Sequence, residues 1–132
     1  MINATLTDVP AGKVHDLGAL IKKHGEVKIG RMGARKGAHI EIGVLEIPEG
    51  TVDTRLEAID DARALRNTSL ISGEHAILTY EKGEMGEGFY LKDISRNGTA
   101  IDRKLYHGEK LILHGGDEIH LPRYGPVKFE TD

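Results

Sequence analysis

Downstream of His75, apolar residues come only in short runs, divided by polar segments that carry glycine. The dividers are Gly83-Glu84-Met85-Gly86-Glu87-Gly88, Asn97-Gly98, His107-Gly108 and His114-Gly115-Gly116-Asp117. The runs they separate lie around His75–Tyr80, Phe89–Asp93, Ala100–Asp102, Leu105–Tyr106, Lys110–Leu113, Glu118–Leu121 and Val127–Glu130. Many short strands joined by closely spaced glycine-rich turns spell an all-β sandwich. Asn97-Gly98 is the strongest of these turn signals, because both residues tolerate positive φ.

Upstream the pattern continues with interruptions. Ile2–Thr7 alternates with period two and is expected to be a strand, ended by the segment that holds Pro10 and Gly12. Val27 and Ile29 alternate up to Gly30-Arg31, and Ile40, Ile42 and Val44 alternate as far as Pro48. Val14–Lys23 reads either as a short helical face made by Leu17, Leu20 and Ile21 or as an irregular strand. Residues 53–66 break the β pattern. Thr54-Arg55-Leu56-Glu57 is a capping-box signature, and Leu56, Ile59 and Ala62 recur every three residues with Leu65 beside them. Acids lie early in that stretch, and Arg63 and Arg66 lie late, as the helix dipole prefers. An amphipathic helix over about 54–66 is therefore expected, inside an insertion of about 44–68 between strands.

A chain of 132 residues is expected to form a single domain over 1–132 with one aliphatic core. No apolar run approaches the length of a membrane span, and no secretory pattern opens the sequence. There is no cysteine, so disulfides and thiolate metal sites are excluded, which suits the cytoplasm. The formal net charge of −3 argues against a nucleic-acid surface. The charge is uneven, however. Residues 26–38 hold Lys28, Arg31, Arg35 and Lys36 against Glu26, whereas residues 44–65 hold six carboxylates against Arg55 and Arg63. A small basic patch on an acidic body suits a compact anionic ligand.

Three polar clusters could supply that site: Gly30-Arg31, Ser72-Gly73-Glu74-His75 and Ser95-Arg96-Asn97-Gly98-Thr99. An arginine fork matches two phosphate oxygens, a serine hydroxyl can donate to a third, and an asparagine amide can both donate to and accept from a peptide backbone. Together they would hold a phosphorylated side chain on an extended peptide. Taken singly, each residue is an ordinary turn or surface group. Other chemistries are weaker. His114 and His120 stand six apart across a turn, which is no metal-ligand spacing, so no metal or cofactor is expected. Ser72 and His75 could be offered as nucleophile and base, but no residue marks an orienting acid or an oxyanion hole, and no enzymatic activity is expected. The acidic 83–88 segment lacks the lysine of a phosphate loop and reads as a hairpin turn.

The set Gly30-Arg31, Ser72-x-x-His75, Asp93-x-Ser95-x-Asn97-Gly98-Thr99 and Leu113-x-x-Gly116-Asp117-x-Ile119 resembles the signature of forkhead-associated (FHA) domains. The motifs run in the family order over about residues 26–121. The resemblance implies a two-sheet β-sandwich of about eleven strands whose loops at one end bind phosphothreonine peptides, a non-catalytic module for phosphorylation-dependent signalling. Carried over by position, Arg31 would hold the phosphate and Ser72 would donate its hydroxyl to it. Asn97 would bond the peptide backbone, and Arg96 would touch the phosphate or the backbone beside it. His75 would fix the serine loop from within, and Gly30, Gly98 and Thr99 would shape the loops. Two features differ from the family pattern. Gly73-Glu74 follows the motif serine where a basic residue is frequent, and the Arg31-to-Ser72 interval is long. Those differences favour an alternative, a divergent FHA-like sandwich that binds a protein partner or itself independently of phosphate.

Overall fold

The structure is a computed structural model that describes residues 3–31, 38–42, 71–122 and 124–131. Both the helix expected over 54–66 and the whole 44–68 insertion lie outside the described residues. Within them the chain forms eleven strands and one helix in two sheets. The first six-stranded sheet has the order β2-β1-β11-β10-β7-β8. Its members are β1 (Ala4–Asp8), β2 (Lys13–Asp16), β7 (Thr99–Ile101), β8 (Lys104–Tyr106), β10 (Glu118–Leu121) and β11 (Tyr124–Thr131). The second sheet has the order β4-β3-β5-β6-β9, from β3 (Val27–Arg31), β4 (Ile40–Ile42), β5 (Ala76–Gly83), β6 (Gly86–Asp93) and β9 (Lys110–Ile112).

Period-two alternation builds the core. Leu6 points inward from β1 between the half-buried Thr5 and Thr7, and Val27 and Ile29 flank the outward Lys28 on β3. From opposite sheets, Phe89 and Phe129 meet edge to face with ring centroids 5.6 Å apart, inside an aliphatic shell that includes Leu78, Leu91 and Ile119. β1 runs one residue further than its alternation suggested. Asp8 pairs with Val127 and accepts the Tyr124 hydroxyl at 2.7 Å, so this carboxylate is satisfied inside the fold.

The ambiguous 14–23 stretch divides. Val14 lies in β2 and pairs with Thr7, and α1 (Leu17–His24) follows. Asp16 caps the helix by accepting from the Ala19 amide, and Gly25 closes it with φ +82°. Leu17 and Ile21 bury one helical face, while Lys22, Lys23 and His24 face the negative end of the dipole.

Strand directions gather the functional loops. β3 runs toward Arg31, and its antiparallel neighbour β5 leaves from Ala76, the partner of Ile29. β6 runs toward Asp93, which pairs with Ala76, before the chain crosses to the other sheet at Thr99. β8 returns to Tyr106 opposite Thr99, and β9 leaves at Lys110 opposite Lys92. The end of β3 and the loops 71–75, 94–98 and 107–109 therefore share one end of the sandwich. The Glu84-Met85 turn between β5 and β6 lies at the other.

Candidate functional site

The 71–75 loop sits directly against the end of β3. The Arg31 amide donates to the Ser72 carbonyl at 3.0 Å, and the His75 amide donates to the Ile29 carbonyl at 2.7 Å. This close approach explains Gly30. A Cβ there would lie 1.8 Å from the Gly73 carbonyl oxygen, so only glycine lets the two backbones touch. Arg31 also donates from Nη1 to the Ile71 carbonyl at 3.2 Å. That bond fixes the half-buried side chain beside the serine loop, and among the described residues it is the only hydrogen bond made by the guanidinium, whose fork suits an anion.

His75 is fully buried and holds two loops at once. Its Nδ1 accepts from the Ser72 amide at 3.1 Å, so Nε2 carries the proton and donates to the Gly98 carbonyl at 2.9 Å. Burial pushes its pKa below the ordinary imidazole value, against the opposing pull of the Gly98 carbonyl and the Asp93 carboxylate. The neutral ring is what this geometry requires, since a second proton would displace the Ser72 amide. Both nitrogens are engaged away from the Ser72 hydroxyl, so the ring is not arranged as a base for it.

The 94–98 loop is organised by Asp93, which is 1% exposed. Its Oδ1 accepts from the Ser95 hydroxyl at 2.5 Å and the Thr99 hydroxyl at 2.8 Å, and its Oδ2 accepts from the Gly108 amide at 2.8 Å. Ser95 Oγ in turn accepts from the Gly98 amide at 2.8 Å, which closes the turn. Gly98 adopts φ +94°, with His107 and Leu105 lying where a Cβ would project. The two loops are then stitched together: the Arg96 amide donates to Ser72 Oγ at 3.1 Å. No acceptor among the described residues takes the Ser72 hydroxyl proton, so it can be donated outward.

Arg31, Ser72 and Arg96 are thus linked through backbone and hydroxyl contacts, and Asn97 follows Arg96 in the same loop. Gly30, His75, Gly98 and Thr99 pack beneath them. Lys28, outward on β3, pairs with Glu74 at 3.5 Å and draws that carboxylate toward the second sheet. Sequence reasoning named two participants, Asp93 in the motif and Lys28 in the basic patch, without the roles they play. The spacing of Asp93 to Ser95 and Thr99 is that of a carboxylate collecting local hydroxyls. The pairing of Lys28 carried no local signal, because its partner is 46 residues away. Among the described residues no group of three His, Cys, Asp or Glu side chains gathers as a metal would need, and no helix is long and apolar enough to cross a membrane.

With the geometry established, similarity can be weighed. No curated protein matches the sequence. Among solved structures, the MEK1 FHA domain is 20% identical with a TM-score of 0.58, over 98% of this chain and 88% of that one. The N-terminal FHA domain of Saccharomyces cerevisiae Rad53p, solved in complex with a phosphothreonine peptide, is 18% identical with a TM-score of 0.60, over 99% and 94%. The yeast splicing factor Pml1 is 17% identical with a TM-score of 0.60, over 100% and 80%. These likenesses carry the fold, and the sequence itself carries the family: the FHA-domain model matches residues 27–122, and the chain belongs to the FHA domain family.

Proposed function

We propose that this domain is a non-catalytic, cytoplasmic phosphothreonine-peptide reader that serves phosphorylation-dependent protein association. The observation that carries the reading is the Arg31–Ser72–Arg96 linkage, in which three segments remote in sequence present an arginine fork and an undonated hydroxyl at one end of the sandwich. In this reading Arg31 anchors the phosphate, and Ser72 and Arg96 add donors to it. Asn97 bonds the peptide backbone. His75, Gly30, Gly98 and Thr99 hold those groups in place. The complex of the Rad53p FHA domain with a phosphothreonine peptide supports the same chemistry by analogy of family.

The Lys28–Glu74 pair bears on the second reading, a partner bound without phosphate. A carboxylate one residue before His75 would oppose a phosphate dianion, and the lysine 3.5 Å away offsets part of that charge. Fluorescence-anisotropy titration of one threonine peptide, with and without its phosphate, separates the readings. The phosphorylated form should bind, and Arg31→Ala should weaken it roughly tenfold or more, as expected for losing a charge-assisted bond of about 1.5–3 kcal/mol. Equal affinity for the two peptides would favour the phosphate-independent reading.

A further inference from the structure

The Asn97-Gly98 turn is covered by a side chain that none of the family motifs contains. Gly98 lacks a Cβ, and His107 Nε2 lies 2.9 Å from where one would stand, so the imidazole rests across the turn immediately beside Asn97. The loop that carries it is anchored rather than loose. The Gly108 amide donates to Asp93 Oδ2, and the Asp93 amide donates to the Glu109 carbonyl at 3.0 Å. His107 itself is exposed, and among the described residues its ring has neither a hydrogen-bond nor an ion-pair partner. The same holds for the exposed guanidinium of Arg96, the residue before Asn97. Two nitrogen donors thus stand on loops next to the position expected to bind peptide backbone, both rooted in the Asp93 network and both without a partner among the described residues.

We propose that His107, together with Arg96, is a specificity-determining residue that selects an acidic side chain flanking the phosphothreonine. This rests on the phosphopeptide reading above. An acid fits better than a base, because Arg31 and Arg96 are cationic and Glu74 is already paired with Lys28. Glu109 is exposed on the same loop and works against that preference.

The test uses fluorescein-labelled phosphothreonine peptides in an alanine background, with a single Asp, Ala or Lys at each flanking position in turn. At one flanking position the wild-type domain should bind the Asp peptide about two- to fivefold more tightly than the Ala peptide, the scale of an exposed ion pair. His107→Ala should bring that ratio toward one, and Glu109→Gln should raise it. The imidazole resonances of His107 should shift on adding the Asp peptide and not the Lys peptide, a readout independent of any variant's folding. Asp-to-Ala ratios of one at every position, or a ratio that His107→Ala leaves unchanged, would overturn the inference while leaving phosphate binding intact. If no phosphopeptide outcompetes its unphosphorylated twin, the reading of the site fails first, and the inference with it.

Discussion

The two loops that build the candidate site are held in opposite ways. The 94–98 loop is held mostly from within, although its Ile94 and Arg96 amides donate to the His75 carbonyl and the Ser72 hydroxyl. Asp93, at its own base, gathers Ser95 and Thr99, and Ser95 closes the turn on Gly98, all within seven residues. The 71–75 loop satisfies only part of its polarity locally. It leans on β3 through Arg31 and Ile29, and it reaches the other loop through the His75 ring and the Ser72 hydroxyl. One loop is a scaffold, and the other is a guest on it. Disturbing the scaffold should therefore cost both, and disturbing the guest should cost one.

Removing the scaffold's organising group gives the largest effect. Asp93→Ala would strand the buried Thr99 hydroxyl and the half-buried Ser95 hydroxyl, and would leave the exposed Gly108 amide to water. An unsatisfied buried donor costs about 1–3 kcal/mol, and with one donor buried and one half-buried a loss of about 2–4 kcal/mol is expected in urea unfolding. Phosphopeptide affinity should fall with it, because Arg96, Asn97 and, through Gly98, His75 all stand on this loop. A variant that unfolds like the wild type would break the asymmetry between the loops.

How much of this was legible in the sequence follows the same division. Period-two alternation at Leu6, Val27, Ile29 and Ile40 marked strands, because a half-buried sheet face writes itself directly into the chain. The candidate site residues stood out as motifs in order, and the structure brings their segments to one end of the sandwich. What escaped was set by register. Lys28 meets Glu74 only because β3 pairs with β5, and Gly30 must be glycine only because the Gly73 carbonyl arrives from 43 residues away. The 17–24 helix was ambiguous for another reason. A strand and a helix abut there at Asp16, and an eight-residue segment carries too few turns for its periodicity to decide.

The guest loop should be the acid-sensitive one. His75 has a folded-state pKa lowered chiefly by burial, so the unfolded chain binds the proton more readily. Its contribution to stability is complete above the unfolded value of about 6.5 and is lost as pH falls below it, until the folded value is passed. The loss cannot exceed about 1.4 kcal/mol per pH unit for one proton. His39, stacked on His24 with centroids 4.1 Å apart, is also lowered, by burial and then by the neighbouring His24 and Lys28 charges, and adds to the same trend. Comparing the pH slope of unfolding with that of His75→Gln isolates the His75 share. In hydrogen exchange, the Ser72 amide, whose acceptor is the imidazole, should lose protection in acid relative to the Gly108 amide, whose acceptor is not. Equal loss at both amides would mean that the scaffold and the guest respond together.

The smallest effect should come from cutting the stitch between the loops without touching either anchor. Ser72→Ala removes the acceptor of the Arg96 amide, but that bond is exposed and water can replace it. Unfolding stability should change by about 0.5 kcal/mol or less. If the 94–98 loop is self-supporting, only the Arg96 amide should exchange faster in Ser72→Ala, while Gly98, held by Ser95, and Gly108, held by Asp93, keep their protection. Faster exchange at all three would mean that the hydroxyl steadies the whole loop, and the dependence between the two loops would then run both ways. The substitution also removes the hydroxyl that, in the proposed reading, donates to the phosphate. A selective loss of phosphopeptide affinity, on a loop whose other amides are unmoved, would therefore assign that loss to a missing donor rather than to a displaced loop.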